Sequence, residues 1–409
     1  MHLHTDVLQQ GTEPHRHRLS VVPGLVRGRL AFVAAQSRTR DACTGGRVNK
    51  HGLFIGKFYP PHRGHHSVIR SAATQCEQVT VLVMAAAVET LSLDDRVGWL
   101  QAEHAADENV VVAGIRCDAP MDLNDHNVWA AQVAAMRAGI RAAGAPSGVD
   151  VVFSNDDYGS ELARWFDAKH VRTARDGFNS TAIRQDLAAH WDWLAPATRA
   201  GLTTRVVVLG AESTGTTTVS TLLAEHYAQR WPATAVVPEY GRDYTSLKWA
   251  RDPELPLDEL TWTAEDFDAV AAEQTRLEEA AAASGSPILI CDTDAFATAI
   301  WERRYLGDAA RTAQPWTSVP PRAVYLLTDH AGVPWHDDGM REGDLTVREE
   351  MTGWFADALT TAGHSWVLLT GPLDARVDIA VRTVDALLKH RMTFGEPLTG
   401  PGFVHDFPR

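Results

Sequence analysis

Two histidines three residues apart close the segment Gly56-Lys57-Phe58-Tyr59-Pro60-Pro61-His62-Arg63-Gly64-His65. A short apolar run precedes it and a helical pattern follows. A loop that opens into a helix presents free backbone N–H groups and the positive end of the helix dipole, and both attract phosphate. His62 and His65 flank that junction, so both imidazoles can donate to one phosphate group. Gly64 between them allows close backbone approach. Lys57 adds a cation. Nothing in the segment supplies a nucleophile, so direct in-line transfer fits better than a covalent intermediate. Downstream, Asn179-Ser180-Thr181-Ala182-Ile183-Arg184 repeats the theme. Ser180 and Thr181 suit a helix N-cap, and Arg184 offers a planar fork for phosphate oxygens.

A second constellation follows the apolar run Val206-Val207-Val208-Leu209. It reads Gly210-Ala211-Glu212-Ser213-Thr214-Gly215-Thr216-Thr217-Thr218. This resembles the phosphate-cradling loop G-x-x-x-x-G-K-[ST], with Thr216 in place of the lysine. The backbone N–H groups can still form the cradle, and Thr217 can still reach Mg²⁺. What is lost is the point charge on the β/γ-phosphates. Cys291-Asp292-Thr293-Asp294 ends a later apolar run, as a Mg²⁺-binding carboxylate at a strand end should.

Both constellations need strands that end where helices begin. Strands are expected at 52–56, 79–84, 110–115 and 149–153, with helices near 64–75, 94–107, 127–143 and 158–166. That βαβα rhythm predicts a parallel sheet covered on both faces. Pro196 and Gly201 break the pattern over 194–202, which reads as a linker. A second α/β unit follows, with strands at 204–210, 233–237, 287–291, 323–328 and 365–369 and helices at 215–229 and 264–283. The fold class expected is two doubly wound α/β domains, at 48–195 and 203–390. Residues 1–47 read as a disordered extension, with a short basic arm toward nucleic acid as the alternative. Residues 391–409 read as an irregular tail.

The bulk numbers set limits on function. The chain has 409 residues, 45% hydrophobic and 22% charged, with formal net charge −14. An acidic total argues against a dedicated nucleic-acid binder but not against local anion sites. Four cysteines, Cys43, Cys76, Cys117 and Cys291, lie far apart with no CxxC pair, so reduced thiols in a cytoplasmic setting are expected. No run approaches the roughly 18 apolar residues of a membrane span. Oligomeric state is left open, a homo-oligomer included.

The first motif resembles the HxGH signature of the nucleotidyltransferase superfamily. More narrowly, it resembles the nicotinamide-mononucleotide adenylyltransferase half of bifunctional NadR-type proteins, and Ser180-Thr181-Arg184 resembles their later S-T-x-x-R segment. The second half resembles their ribosylnicotinamide kinase half in several ordered segments. These are Gly210–Thr218, Pro238-Glu239-Tyr240-Gly241-Arg242, Asp292 to Asp294, and Pro334 to Arg341 with Arg348. The resemblance implies adenylyl transfer from ATP to nicotinamide mononucleotide, carried by Lys57, His62, His65 and Arg184, with Gly56, Phe58, Gly64, Ser180 and Thr181 on the nucleotide. Trp129 matches a tryptophan that stacks on the nicotinamide ring in relatives, and Arg96 and Ser154 to Tyr158 match further positions. For the second half it implies phosphorylation of nicotinamide riboside by ATP. There the loop residues Gly210, Glu212, Ser213, Thr214, Gly215, Thr216, Thr217 and Thr218 hold ATP, with Asp292 and Thr217 on Mg²⁺. Glu239, Tyr240, Arg242 and Asp294 would meet the riboside, and Arg341 and Arg348 would close over ATP. One working half beside a merely binding half, and an NAD- or ATP-sensing regulator, are the alternatives. Some relatives carry a DNA-binding head, and residues 1–47 show no helix-turn-helix pattern.

Overall fold

Among the described residues ten parallel strands make two sheets, and each sheet reverses its order beside its first strand. The computed structural model describes residues 49–398, except 120–121, 157, 175, 252, 257–258, 308–309, 312–320 and 336–343. The chain divides into 1–47 and 48–409, and the first of these lies outside the described residues, as does Arg341.

The first sheet has the order β3-β2-β1-β4-β5. Its strands are β1 (Asn49–Gly56), β2 (Cys76–Ala85), β3 (Val110–Arg116), β4 (Val151–Ser154) and β5 (Lys169–Arg172). Helices α1 (Arg63–Ala73), α2 (Leu93–Glu103), α3 (His126–Ala142), α4 (Gly159–Phe166) and α5 (Ser180–Gln185) connect and follow them. β1 pairs with β2 on one side and β4 on the other. The chain therefore turns one way after β1 and the other way at β4, which opens a crevice beyond the carboxyl end of β1. Both faces of β1 are covered, and Leu53, Phe54 and Ile55 are buried. That is why its sequence is continuously apolar rather than alternating. β5 is a short edge strand, Lys-His-Val-Arg, with intermediate or exposed residues. It carries no apolar alternation, and sequence reading passed over it.

The second sheet has the order β10-β9-β6-β8-β7. It contains β6 (Thr204–Gly210), β7 (Val236–Val237), β8 (Ile288–Asp292), β9 (Val324–Thr328) and β10 (Trp366–Leu369). β6 is buried along its whole length between β8 and β9. Around the sheet lie α7 (Thr216–Ala228), α8 (Tyr240–Trp249), α9 (Ala264–Ser284), α10 (Ala295–Leu306), α11 (Leu345–Thr361) and α12 (Leu373–Arg391). The expected linker is in fact a packed helix, α6 (Pro196–Leu202), with Pro196 at its first turn. A proline costs nothing there because that N–H has no helical partner. Gly201 in α6 faces the indole of Trp99, and a Cβ at that position would collide with it. The glycine marks close packing, not a break.

Candidate functional site

The loop after β1 leads directly into α1. Phe58 has a left-handed backbone (φ 46) and is 1% exposed. Its ring stands edge-on to Phe54 at 5.5 Å and to His65 at 4.8 Å. The expectation that Phe58 faces nucleotide is corrected accordingly, since the ring is a buried floor beneath His65. The His62 and His65 rings stack with centroids 3.7 Å apart and 23° between planes. The His62 N–H donates to His65 Nδ1 at 3.3 Å, so neutral His65 keeps its proton on Nε2 as a donor. His62 Nδ1 is buried and has no hydrogen-bond partner. Burial lowers the His62 pKa to about 4. Burial, then the neighbouring His62 and His66, hold His65 well below its ordinary value. Both rings are thus neutral at pH 7, each able to donate one N–H without carrying a charge. A Cβ at Gly64 would come within 3.1 Å of the His62 ring and 3.3 Å of Phe178 Cβ, so glycine keeps this junction open.

Arg184 is brought to the same loop. Its Nη1–H donates to Tyr59 O at 2.8 Å and its Nη2–H to Thr181 Oγ1 at 3.2 Å. Ser180 Oγ donates to Pro60 O at 3.1 Å. The N-cap of α5 is Asn179, whose side chain accepts from Ala182 N. Ser180 and Thr181 therefore sit inside the first turn, which corrects the capping expectation. Lys57 pairs with Glu89 at 2.7 Å, and Glu89 pairs with the fully buried Arg96 at 2.6 Å. Burial pushes the Glu89 carboxyl up, but Lys57 and Arg96 outweigh that and hold it below its ordinary range. Arg96 also donates to Lys57 O at 2.9 Å, so it fixes the loop from beneath. Trp129 does not join this group. It is 5% exposed, packs in the core with Leu53 and Val152, and donates its indole N–H to Leu123 O at 2.9 Å.

Beneath α1 a buried relay runs from His66 Nδ1 to His104 Nε2 at 2.9 Å, and from His104 Nδ1 to Asp107 Oδ2 at 2.7 Å. Burial, then the neighbouring His104, lowers His66 to about 3. An unfolded histidine titrates near 6.5, so below that pH the unfolded chain binds protons that folded His62 and His66 refuse. Stability is therefore complete above pH 6.5 and declines as pH falls from 6.5 toward about 4 and about 3 for these two groups. Each contributes a slope of about 1.4 kcal/mol per pH unit. His66→Leu is expected to change the difference in stability between pH 7 and pH 5, read by urea unfolding, by about 2 kcal/mol relative to the unsubstituted chain. A variant with the same pH dependence as the unsubstituted chain would contradict the assignment.

In the second half the loop after β6 bends through left-handed Ser213 (φ 55) and Gly215 (φ 89) into α7. Any Cβ at Gly210 would meet Thr328 Oγ1 and lie 2.7 Å from Thr214 Oγ1. Thr214 itself is buried and bonded to Thr328. Thr217 Oγ1 donates to Asp292 Oδ2 at 2.6 Å. Asp292 is 4% exposed, and burial raises its pKa against the opposing hydrogen bonds from Thr217 and Thr216. Thr218 is exposed on the first turn of α7. Arg348, expected to close over ATP, is instead 6% exposed and donates to Glu212 O at 3.0 Å, Ser213 O at 2.9 Å and Val333 O at 3.0 Å. It fastens the loop by its carbonyls. Arg376, which sequence reading missed, does the same to Thr214 O at 3.2 Å and Asp329 O at 2.8 Å. Both arginines thereby hold the loop by its carbonyl side. Asp294 is also corrected. It caps α10, accepts from Tyr325 and Arg322, and is fully buried away from the cavity.

A cavity of about 390 Å³ opens beside this loop. Glu212, Ser213, Thr216, Glu239, Arg242 and Asp292 line one side. Trp262, Phe267, Trp301 and Tyr305 line another. Trp262 stacks on Tyr305 at 5.3 Å, and Trp301 on Tyr305 at 6.4 Å. Trp301 and Tyr305 are four apart in α10 and so share a helix face, a spacing legible in the sequence but not used. Burial, then the neighbouring Asp292, raises Glu239 to about 7. Tyr240 is tied through its N–H to Gln274 at 3.0 Å. Among the described residues no group of three or more His, Cys, Asp or Glu could hold a metal ion. The pair Asp292 and Thr217 supplies hard oxygens of the kind that suit Mg²⁺, which usually takes one or two carboxylates and completes its shell with phosphate and water. Among the described residues three free cysteines are present and no helix is long and apolar enough to cross a membrane.

These features define a tandem of two doubly wound parallel α/β units, the second built on a P-loop-type strand–loop–helix turn. Residues 205–376 match the AAA domain family. Over 332 residues the chain is 22% identical to the trifunctional NAD biosynthesis/regulator protein NadR of Escherichia coli strain K12, covering 75% of this chain and 76% of the relative. It is 22% identical over 311 residues to the protein of the same name from Salmonella typhimurium strain LT2, covering 71% of each. A solved NadR structure in complex with NR superposes with TM-score 0.55 at 18% identity, covering 83% of this chain and 98% of that one. A NadR complex with NAD and AMP-PNP gives 0.53 at 19%, covering 83% and 96%. The chain is homologous to the NadR proteins.

Proposed function

We propose that this chain makes NAD in two steps, one in each half. Residues 48–195 adenylylate nicotinamide mononucleotide with ATP, and residues 203–390 make that mononucleotide by phosphorylating nicotinamide riboside. The observation that carries the first assignment is the pair of stacked, neutral imidazoles at the start of α1 with Arg184 fastened across the same loop. In that step a 5′-phosphate oxygen attacks the ATP α-phosphorus, a new O–P bond forms, and the bond to the β-phosphate breaks to release pyrophosphate. His62 and His65 donate to the phosphate that carries the growing charge, and Arg184 and Lys57 balance it. In the second step the riboside 5′-hydroxyl attacks the γ-phosphorus, its proton passes to Asp292, and ADP leaves. Mg²⁺, held by Thr217 with the phosphates, would neutralise charge on the transferring group. The aromatic wall of Trp262, Trp301 and Tyr305 suits a cationic pyridinium ring, while Glu239 suits the ribose.

The names of the relatives, NAD biosynthesis proteins and NadR bound to NR, to NAD and to AMP-PNP, support this reading. The test supplies ATP and Mg²⁺ with mononucleotide or with riboside, in separate reactions, and looks for NAD and for mononucleotide. A sensor would bind the ligands and release neither product. Arg348 is committed to loop carbonyls, so Arg242, which lines the cavity with Thr216, is the proposed stand-in for the absent lysine. Thr216→Lys is then expected to change riboside turnover less than about tenfold, because one displaced charge-assisted contact is worth about one decade. A gain of several orders of magnitude would mean that the natural loop is inert.

A further inference from the structure

Residues 392–398 follow α12, the last helix of the second half, and run back onto the loop of the first. Tyr59 Oη donates to Gly395 O at 3.0 Å. The same hydroxyl lies 2.6 Å from Thr90 Oγ1 and accepts from Thr90 N at 2.9 Å. Phe394 stands edge-on to the Tyr59 ring at 5.9 Å. Met392 and Phe394 also pack against Ile183, Leu187, Trp191 and Leu194, the small apolar cluster that seats α5. Further along, Lys57 Nζ donates to Leu398 O at 3.4 Å. The segment is tightly seated, since a Cβ on Gly395 would come within 2.8 Å of Val88 O.

Tyr59 is what this strap grips, and Tyr59 is what holds Arg184. Its carbonyl accepts from Arg184 Nη1, and its ring carries the Arg184 guanidinium at 5.1 Å and the Arg96 guanidinium at 4.6 Å. A guanidinium placed by one carbonyl and one ring face moves when that residue moves. We propose that residues 392–398 are a positioning element of the adenylyl-transfer site, setting Arg184 through Tyr59 from the far end of the chain. The second half thereby contributes to chemistry in the first, although none of its strap residues touches the reacting atoms. Glu396 belongs to the same arrangement. Burial lowers the Arg184 pKa, and the nearby Glu396 carboxylate opposes that shift and helps keep the guanidinium charged.

This inference rests on reading the first site as an adenylyltransferase. Its test measures NAD formation from mononucleotide by the full chain and by Gly395→Val, Phe394→Ala and Tyr59→Phe variants. The Gly395 and Phe394 variants are expected to lower kcat about tenfold with KM for ATP changed less than threefold, because what is loosened is a group that balances charge growing in the transition state. Riboside phosphorylation by the second half should be unchanged. Tyr59→Phe combined with Gly395→Val should be no worse than the stronger single variant, since both act through one hydroxyl. Unchanged kcat in both strap variants, or strictly additive effects with Tyr59→Phe, would overturn the inference while leaving the site assignment standing. An intact chain that makes no NAD would overturn the site assignment and the inference with it.

Discussion

His62→Ala is expected to slow NAD formation from nicotinamide mononucleotide by roughly 10²–10³-fold while leaving riboside phosphorylation unchanged, in line with loss of one preorganised donor to a developing oxyanion. The size follows from how little this imidazole has to reorganise. It is 4% exposed, stacked on His65 at 3.7 Å, and neutral because burial holds its pKa near 4. A donor already stripped of water and fixed in place meets charge in the transition state at full strength. Alanine replaces it with water that must order itself during the reaction. Truncation should also loosen His65, since its ring loses the stacked His62 imidazole and keeps only the hydrogen bond from the residue-62 backbone N–H. The double variant His62→Ala/His65→Ala should therefore cost less than the product of the two singles. A loss below about threefold in the single variant would remove His62 from the phosphate grip.

Asp292→Asn is the complementary change and should lower riboside phosphorylation by about 10³-fold, because it removes the proton acceptor. Asparagine fits the same space and can still accept from Thr217 Oγ1, now 2.6 Å away. The fold should survive and the effect should be read in kcat. NAD formation from supplied mononucleotide should not change. If Asp292→Asn slowed both reactions equally, the division of labour between the halves would be wrong.

Much of this architecture could be read from residue types. A continuous apolar strand running into a glycine-bearing loop and then a helix is a local pattern, and both phosphate loops have it. The two sheets are accordingly found where that pattern places their central strands, β1 and β6. What could not be read was the direction in which a polar side chain near a motif points. Asp294 lies two residues from Asp292, but the strand ends at Asp292 and left-handed Thr293 (φ 72) turns the chain, so Asp294 caps α10 instead of lining the cavity. Arg348 lies beside the loop, but its guanidinium donates to the loop's own carbonyls. Trp129 and Phe58 are large apolar rings that the core absorbs. The strap over Tyr59 was invisible for a different reason. It joins residues 336 positions apart, and its own sequence has no period. Gly201 was misread because glycine signals either a break or a close approach, and only the facing Trp99 decides which.

The central claim is that two sites in one chain work in series, and it is tested most directly by offering nicotinamide riboside as the sole pyridine compound, with ATP and Mg²⁺. The account predicts that mononucleotide appears first and NAD follows. It also predicts that Asp292→Asn blocks both products and that His62→Ala lets mononucleotide accumulate. Riboside that stays unchanged, while supplied mononucleotide is still converted to NAD, would contradict it.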